Sequence, residues 1–337
     1  SYSKSVTFES NYNYFRSFEV DKDNFYIGLQ NGLVIQNRQT GESKYYNSIN
    51  SNLKGNFIKT IVEKDGAVYI PTNICLNKIK DGKIENIKIG DNDVRDLHFD
   101  NDGNIWTFNS KSLLKYDGKN TNEWKISDYV NFDFEIANIT LYKHYVWFSF
   151  YKPSYGYKTY YSNQQDYVFR FGLLDLNTNE ITTFTPEERG FKENISIRSQ
   201  TISNDEVWIV TAADSLYTYD IDEKKWEKNK YNHLFEGKYF IKDTKCLTDK
   251  DQNVWFTVSK YKDDGKMIRI PAVYDYKTNK IKFMYEDIAE DKNLYIYDLA
   301  DYGDEIIMSG DARFYFQEGD SLNIINFTEF TDYYLFY

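Results

Sequence analysis

Asp100-Asn-Asp-Gly-Asn-Ile-Trp-Thr-Phe-Asn-Ser-Lys-Ser-Leu-Leu-Lys-Tyr-Asp-Gly118 is the stretch from which the fold can be read. A tight turn at Asp102-Gly103 leads into an apolar strand centred on Trp106. A second turn then leads into a strand that closes on Leu114-Lys-Tyr-Asp. Asp, Asn and Gly tolerate the left-handed backbone that tight hairpin turns need. The unit is therefore a hairpin with the turn chemistry built in.

Variants of this unit recur along the chain. An apolar pair following an acidic or Gly-containing turn appears at Phe25-Tyr26, Val68-Tyr69, Ile105-Trp106, Val146-Trp147, Val207-Trp208, Val254-Trp255 and Ile306-Ile307. The spacing is near forty residues and lengthens in the later copies. Each copy begins with an apolar strand, such as Phe57-Ile-Lys-Thr-Ile-Val62, before the turn. After the anchor strand comes a third, such as Leu216-Tyr-Thr-Tyr219, and a short fourth, such as Ile181-Thr-Thr-Phe184. Four antiparallel strands repeated seven times predict a seven-bladed β-propeller, an all-β fold in which radial packing protects the sheet edges. The blades are expected at about 13–47, 57–90, 94–127, 136–185, 197–228, 240–285 and 294–328 of a single domain spanning 1–337, with an aromatic tail at 329–337. Ser5-Val-Thr-Phe8 and Asn323-Ile-Ile-Asn-Phe327 compete for the outer strand of the last blade.

Composition agrees with a β-dominated protein. Aromatic residues make up 18% of the 337 residues, and such side chains suit pleated, half-buried strands. The formal charge of −11, without any basic run, argues against nucleic acid, whose phosphates need clustered Lys and Arg. No apolar stretch approaches the roughly 20 residues of a membrane-spanning helix. Cys75 and Cys246 are too few for a disulfide framework and are expected to be buried thiols.

Asp102-Gly-Asn-Ile-Trp-Thr-Phe108 with Ser112-Leu-Leu-Lys-Tyr-Asp-Gly118 resembles the two-component-regulator propeller repeat. So do Asn24-Phe-Tyr-Ile-Gly-Leu29 with Asn31-Gly-Leu33, and the loop Asn50-Ser-Asn-Leu53. The Gly-Thr pair of that repeat is replaced by Thr107-Phe108, Phe148-Ser149 and Val210-Thr211. The resemblance implies a sensor-type seven-bladed propeller placed outside the cytoplasm of a bacterial cell, periplasmic, surface-anchored or secreted.

Function is expected where copies depart from the repeat. Connections between second and third strands, and between blades, emerge around one mouth of such a fold, and loops on a rigid scaffold carry variation. The insertion at 151–165 supplies Tyr151, Tyr155, Tyr157, Tyr160 and Tyr161, flat surfaces with hydroxyl handles. The neighbouring connections supply Arg189, His233 and Tyr261. These eight residues are the candidate ligand-binding set for a small molecule, glycan or protein; packing of the loops on one another is the competing reading. The tail 329–337 reads as packing on the last blade or as a contact for another chain.

No catalytic residue, cofactor or metal is expected. His98, His144 and His233 have no shared metal spacing. Asp100-Asn-Asp-Gly-Asn104 resembles a calcium loop or a sialidase Asp-box only faintly, and a hairpin turn explains it better. Two readings of function are carried forward: a non-catalytic recognition module, and a carbohydrate-active propeller using acids and tyrosines at the channel mouth.

Overall fold

The computed structural model describes residues 4–7, 15–58, 60–91, 93–151, 169–184, 197–211, 215–235, 237–241, 245–286, 295–302, 305–310, 313–318 and 321–328. The chain is all-β, of the β-propeller class, built from four-stranded antiparallel blades whose strands follow one another in sequence. In the third blade, for example, the strands are His98–Phe99, Ile105–Phe108, Ser112–Tyr116 and Thr121–Lys125.

Six sheets have four strands, which corrects the expected seven four-stranded blades. The last sheet has five. Ile296–Tyr302, Glu305–Gly310, Arg313–Glu318 and Ser321–Thr328 complete its meander, and Lys4–Thr7 lies beyond Ser321–Thr328. The two segments competing for one outer position thus both join the sheet. Ser321–Thr328 follows directly in the meander, and the N-terminal strand lies along its outer edge.

Contacts divide the chain into two compact units, Ser1–Val6 with Tyr142–Thr328, and Thr7–Leu141 with Glu329–Tyr337. In the second of these, Tyr26 and Leu33 of the first blade pack with Val68, Ile70 and Ile79 of the next. Leu76 then meets Ile105 and Leu114 of the third. In the other unit, Trp147, Phe171 and Phe184 pack against Val207, Ile209 and Tyr219, while Trp208 and Val210 join the cluster of the sixth and seventh sheets.

Position within a sheet decides burial. The second strands Ile105–Phe108 and Glu206–Thr211 are buried at every residue. The fourth strands Lys83–Ile87 and Thr121–Lys125 are half-buried or exposed throughout. A strand covered on both faces must be a continuous apolar run, not an alternation, which is why the apolar pair of the second strand marks every repeat. Cys75 and Cys246 are buried free thiols, as expected, and burial pushes Cys246 up to about 12.

Close packing is tightest at Gly172, paired across the ladder with the fully buried Phe148. A Cβ there would lie 2.0 Å from Phe148 Cζ. Gly172→Ala is therefore expected to cost about 1–3 kcal/mol through overpacking, read as a lower urea midpoint at unchanged m-value.

Candidate functional site

A four-stranded meander places its second-to-third hairpin, and the linkers entering and leaving the sheet, at one end of that sheet. Of the expected ligand-binding residues, Tyr151, His233 and Tyr261 are described, each at this end of its sheet or on a connection leaving it. Tyr151 closes the strand Tyr145–Tyr151 and is half-buried opposite Phe169. Tyr261 closes the strand Val254–Tyr261, is 62% exposed and stacks on Phe240 at 5.5 Å. His233 lies exposed on the 3-10 turn Asn232–Phe235, its Nδ1 3.0 Å from the Lys230 carbonyl. That turn packs beside the outer strand Lys280–Phe283, away from the hairpin of Tyr261. Among the described residues, no contact joins Tyr151, His233 and Tyr261 to one another. Tyr155, Tyr157, Tyr160, Tyr161 and Arg189, like the tail 329–337, lie outside the described residues.

Around Tyr261 the surface is built of aromatic rings and ion pairs. Lys260 Nζ meets Glu286 at 2.7 Å and lies over the Tyr239 ring, which stacks on Phe283 at 4.1 Å. Deeper in the same sheet, the buried Arg269 donates to Ser259 Oγ at 3.3 Å and to Tyr295 Oη at 2.7 Å.

In the unit Thr7–Leu141 the same class of connection exposes Ile49, Phe57, Ile74 and Tyr129 at 91, 39, 48 and 49%. These are not frayed loops. Asn47 Oδ1 accepts from the N–H groups of Ile49 and Asn50, so Ile49 tops a capped turn. Thr72 Oγ1 accepts from Ile74 N and Cys75 N and donates to the Lys54 carbonyl, which fixes the hairpin that carries Ile74. The buried Asn77 clasps both backbone groups of Lys54, at 2.8 and 2.9 Å, and ties the incoming linker to the second sheet. Arg95, on the linker into the third sheet, bridges Asp93 of the same linker at 3.0 Å and Glu135, the first residue of the strand Glu135–Tyr142, at 2.9 Å.

The aspartate turns prove to be structural. Asp100 Oδ1 accepts from the backbone of Asp102 and Asn104, while Oδ2 accepts from the Trp106 indole at 3.0 Å and pairs with Lys115. Asp249 repeats this at Asp251, Asn253 and Trp255. Burial would raise the Asp100 carboxyl, but the donors from Asn104, Lys115 and Trp106 outweigh it and hold the group down at about 2. Among the described residues, no group of three or more His, Cys, Asp or Glu side chains converges to hold a metal. His98 is half-buried, with Nε2 3.3 Å from Asp96.

The sequence reading missed a buried polar cluster between the fifth and sixth sheets. Glu206, 5% exposed, receives Tyr231 Oη at 2.6 Å, Tyr276 Oη at 2.9 Å and Lys230 Nζ at 2.8 Å. Trp208 Nε1 donates to Tyr276 Oη at 2.6 Å, and its ring lies parallel to Tyr231 at 4.5 Å. Burial first, and then Glu206, push both tyrosine hydroxyls far up, so both stay protonated and donate to its carboxylate. Burial alone would lower the Lys230 ammonium, but its bond to Glu206 raises it instead. The signal was present in the sequence: Glu206 precedes Val-Trp where Asn104 and Asn253 precede two of the other Trp pairs.

No family model and no curated protein matches the sequence. Among solved structures, the chain is similar to the computationally designed Ika8 protein, at 11% identity and a TM-score of 0.56, covering 97% of this chain and 91% of that one. It is also similar to Saccharomyces cerevisiae Sqt1, at 13% identity and a TM-score of 0.53, covering 86% of this chain and 78% of that one. The extracellular domain of BT4673 from B. thetaiotaomicron matches at 13% identity and a TM-score of 0.34, over 94% of this chain and 61% of that one. At these identities the likenesses concern the fold alone. No helix among the described residues is long and apolar enough to cross a membrane.

Two measurements check these assignments. Glu206→Ala takes the carboxylate acceptor away from the buried hydroxyls of Tyr231 and Tyr276, while Lys230 keeps Glu227 and contact with solvent, so it should lower unfolding free energy by about 2–4 kcal/mol. For Asp100, the folded carboxyl titrates near 2 against an ordinary value of 3.8. Its contribution, roughly 2 kcal/mol, is complete above about pH 4 and is lost as pH falls through 2. The gap in urea midpoint between the native chain and Asp100→Asn should therefore narrow steadily from pH 5 to pH 2.

Proposed function

We propose that this chain is a non-catalytic recognition propeller that grips a protein segment with the hairpin-and-linker ends of its blades. One observation carries the reading. Among the described residues of the unit Thr7–Leu141 the large exposed hydrophobics are Ile49, Phe57, Ile74 and Tyr129, and every one lies in a second-to-third hairpin or an inter-blade linker. Apolar side chains held in water by capped, hydrogen-bonded turns mark surfaces that a partner covers. Aromatic and aliphatic anchors with a charged rim, as at Asp93, Arg95 and Glu135, are the usual make-up of a protein-binding patch.

Under this proposal the whole chain, 1–337, forms one domain. In the unit Tyr142–Thr328, Tyr151, Tyr155, Tyr157, Tyr160, Tyr161, Arg189, His233 and Tyr261 are proposed as ligand contacts on connections of the same class. Likeness of the repeats to the two-component-regulator propeller repeat supports an extracytoplasmic, sensor-like setting in a bacterium.

Selection of phage-displayed peptides on the full chain supplies a ligand for the test. Ile49→Ser, Ile74→Ser and Tyr129→Ser change exposed positions, where stability shifts stay within about 0.5 kcal/mol. Affinity for the selected peptide is expected to fall about tenfold or more for at least one of them, since anchor residues are worth 2 kcal/mol or more. Lys224→Ser, on a hairpin at the opposite sheet end, should leave affinity unchanged. Equal affinities across the loop variants would remove the proposal.

A further inference from the structure

We infer a second, separate binding site: a groove on the sixth blade that takes a small carboxylate-bearing molecule with a flat apolar body. The groove has a volume of about 430 Å³ and is lined by Trp255, Val273 and Met284, with Asn253, Asp275, Lys280 and Lys282 among its polar residues. Its size falls in the usual range for small-molecule sites, about 300–1,000 Å³. All of these residues belong to the sixth blade, in the unit Tyr142–Thr328, with Asn253 just before the second strand and Met284 just after the outer one, whereas Ile49, Ile74 and Tyr129 belong to the unit Thr7–Leu141.

The repeat itself shows that this space is built. In the third blade Trp106 stands opposite Lys115, which stands opposite Asn122, and Trp124 lies two residues further along the outer strand. Trp124 stacks on Trp106 at 5.2 Å, and Lys115 Nζ covers the same ring, so Trp106 is fully buried. The sixth blade has the same ladder: Trp255 opposite Val273, Val273 opposite Lys282, and Met284 two residues on. The turn is also the same, with Asp249 holding the Trp255 indole at 2.8 Å. What differs is the cover. Val273 and Met284 stand where the third blade has Lys115 and Trp124, and the groove opens where those larger side chains would lie.

The rim carries positive charge that the protein leaves unspent. Lys280 and Lys282 alternate outward along Lys280–Phe283, and both are exposed. Neither forms an ion pair among the described residues, although the chain as a whole carries a formal charge of −11. Asp275 stands directly opposite Lys280 in the ladder, yet its carboxylate is occupied by the N–H groups of Lys277 and Thr278 and by the Thr278 hydroxyl. Two ammonium groups beside an apolar floor suit a carboxylate attached to a flat face, either the apolar side of a sugar ring or an aromatic ring.

The test uses the full chain and two acids, digalacturonate and phenylacetate, each beside its neutral counterpart, the methyl ester and phenylacetamide. Titration is followed by calorimetry and by the Trp255 indole ¹⁵N–¹H resonance, assigned with Trp255→Phe. At least one acid should move that resonance, and the responding acid distinguishes a saccharide source from an aryl one. Its neutral counterpart, and the double variant Lys280→Gln with Lys282→Gln, should bind about tenfold more weakly. Met284→Trp, which restores the cover of the third blade, should abolish binding without lowering the melting temperature. The inference is overturned if neither acid moves the resonance, if acid and neutral forms bind alike, or if the lysine variant keeps its affinity. It also falls if a folded Met284→Trp variant still binds.

Discussion

Covering a strand on both faces removes the option of an alternating pattern, and the second strand of each blade lives under that constraint. Asn24–Leu29, Tyr145–Tyr151 and Val254–Tyr261 are buried nearly end to end, and Glu206–Thr211 is buried throughout. Six consecutive buried residues leave no position free for a solvated side chain, so the strand becomes apolar and bulky, with Trp at its densest point. Everything outward of it relaxes. Third strands vary, from the partly alternating Leu33–Asn37 to Met267–Asp275, buried at every residue between its ends, and fourth strands such as Lys225–Lys228 are left half-buried or exposed. The repeat visible in the sequence is the imprint of this gradient from covered to open backbone.

A buried Trp brings an indole N–H that needs a partner, and the third, fifth and sixth blades meet this need in two ways. The third and sixth use a turn aspartate whose other oxygen also holds the hairpin, so one carboxylate shapes the turn and satisfies the ring. In the fifth blade the partner is Tyr276 of the neighbouring sheet, itself bonded to Glu206. There the solution spans two sheets, and the carboxylate moves from the turn into the strand. Such a cluster is costly to leave incomplete, which makes this boundary between sheets more sharply specified than one formed by apolar contact alone.

Strand order was legible in the sequence because it rests on local signals: Asp, Asn and Gly at turns, and apolar pairs after them. Sheet membership at the ends of the chain was not. Lys4–Thr7 and Ser321–Thr328 both read as outer strands, and no local signal states that a sheet will accept both. The aspartate turn was recognised as a hairpin, but the role of Asp100 toward Trp106 was not, since it depends on a ring returning across six residues. Glu206 was missed for a related reason: its partners Lys230, Tyr231 and Tyr276 come from elsewhere in the chain. The insertions drew attention by their length, whereas Ile49 and Ile74 sit in short connections that look ordinary as text. Their exposure is decided by capped turns, not by composition.

Repetition also supplies an internal control that a single-copy fold lacks. When two blades share turn, ladder and Trp, a difference in one cover residue cannot be charged to a different backbone. Trp106 under Trp124 shows what a blade does when its own stability is the sole demand: the ring is sealed, and the lysine lies flat across it. Trp255 under Val273 and Met284 gives up part of that contact, and the lysines beside it stay in solvent. A blade that forgoes stacking its neighbour already achieves has lost packing and retained an opening. Departures of this kind, where the scaffold is conserved within one chain and only the cover changes, separate a binding feature from ordinary irregularity more sharply than loop length does.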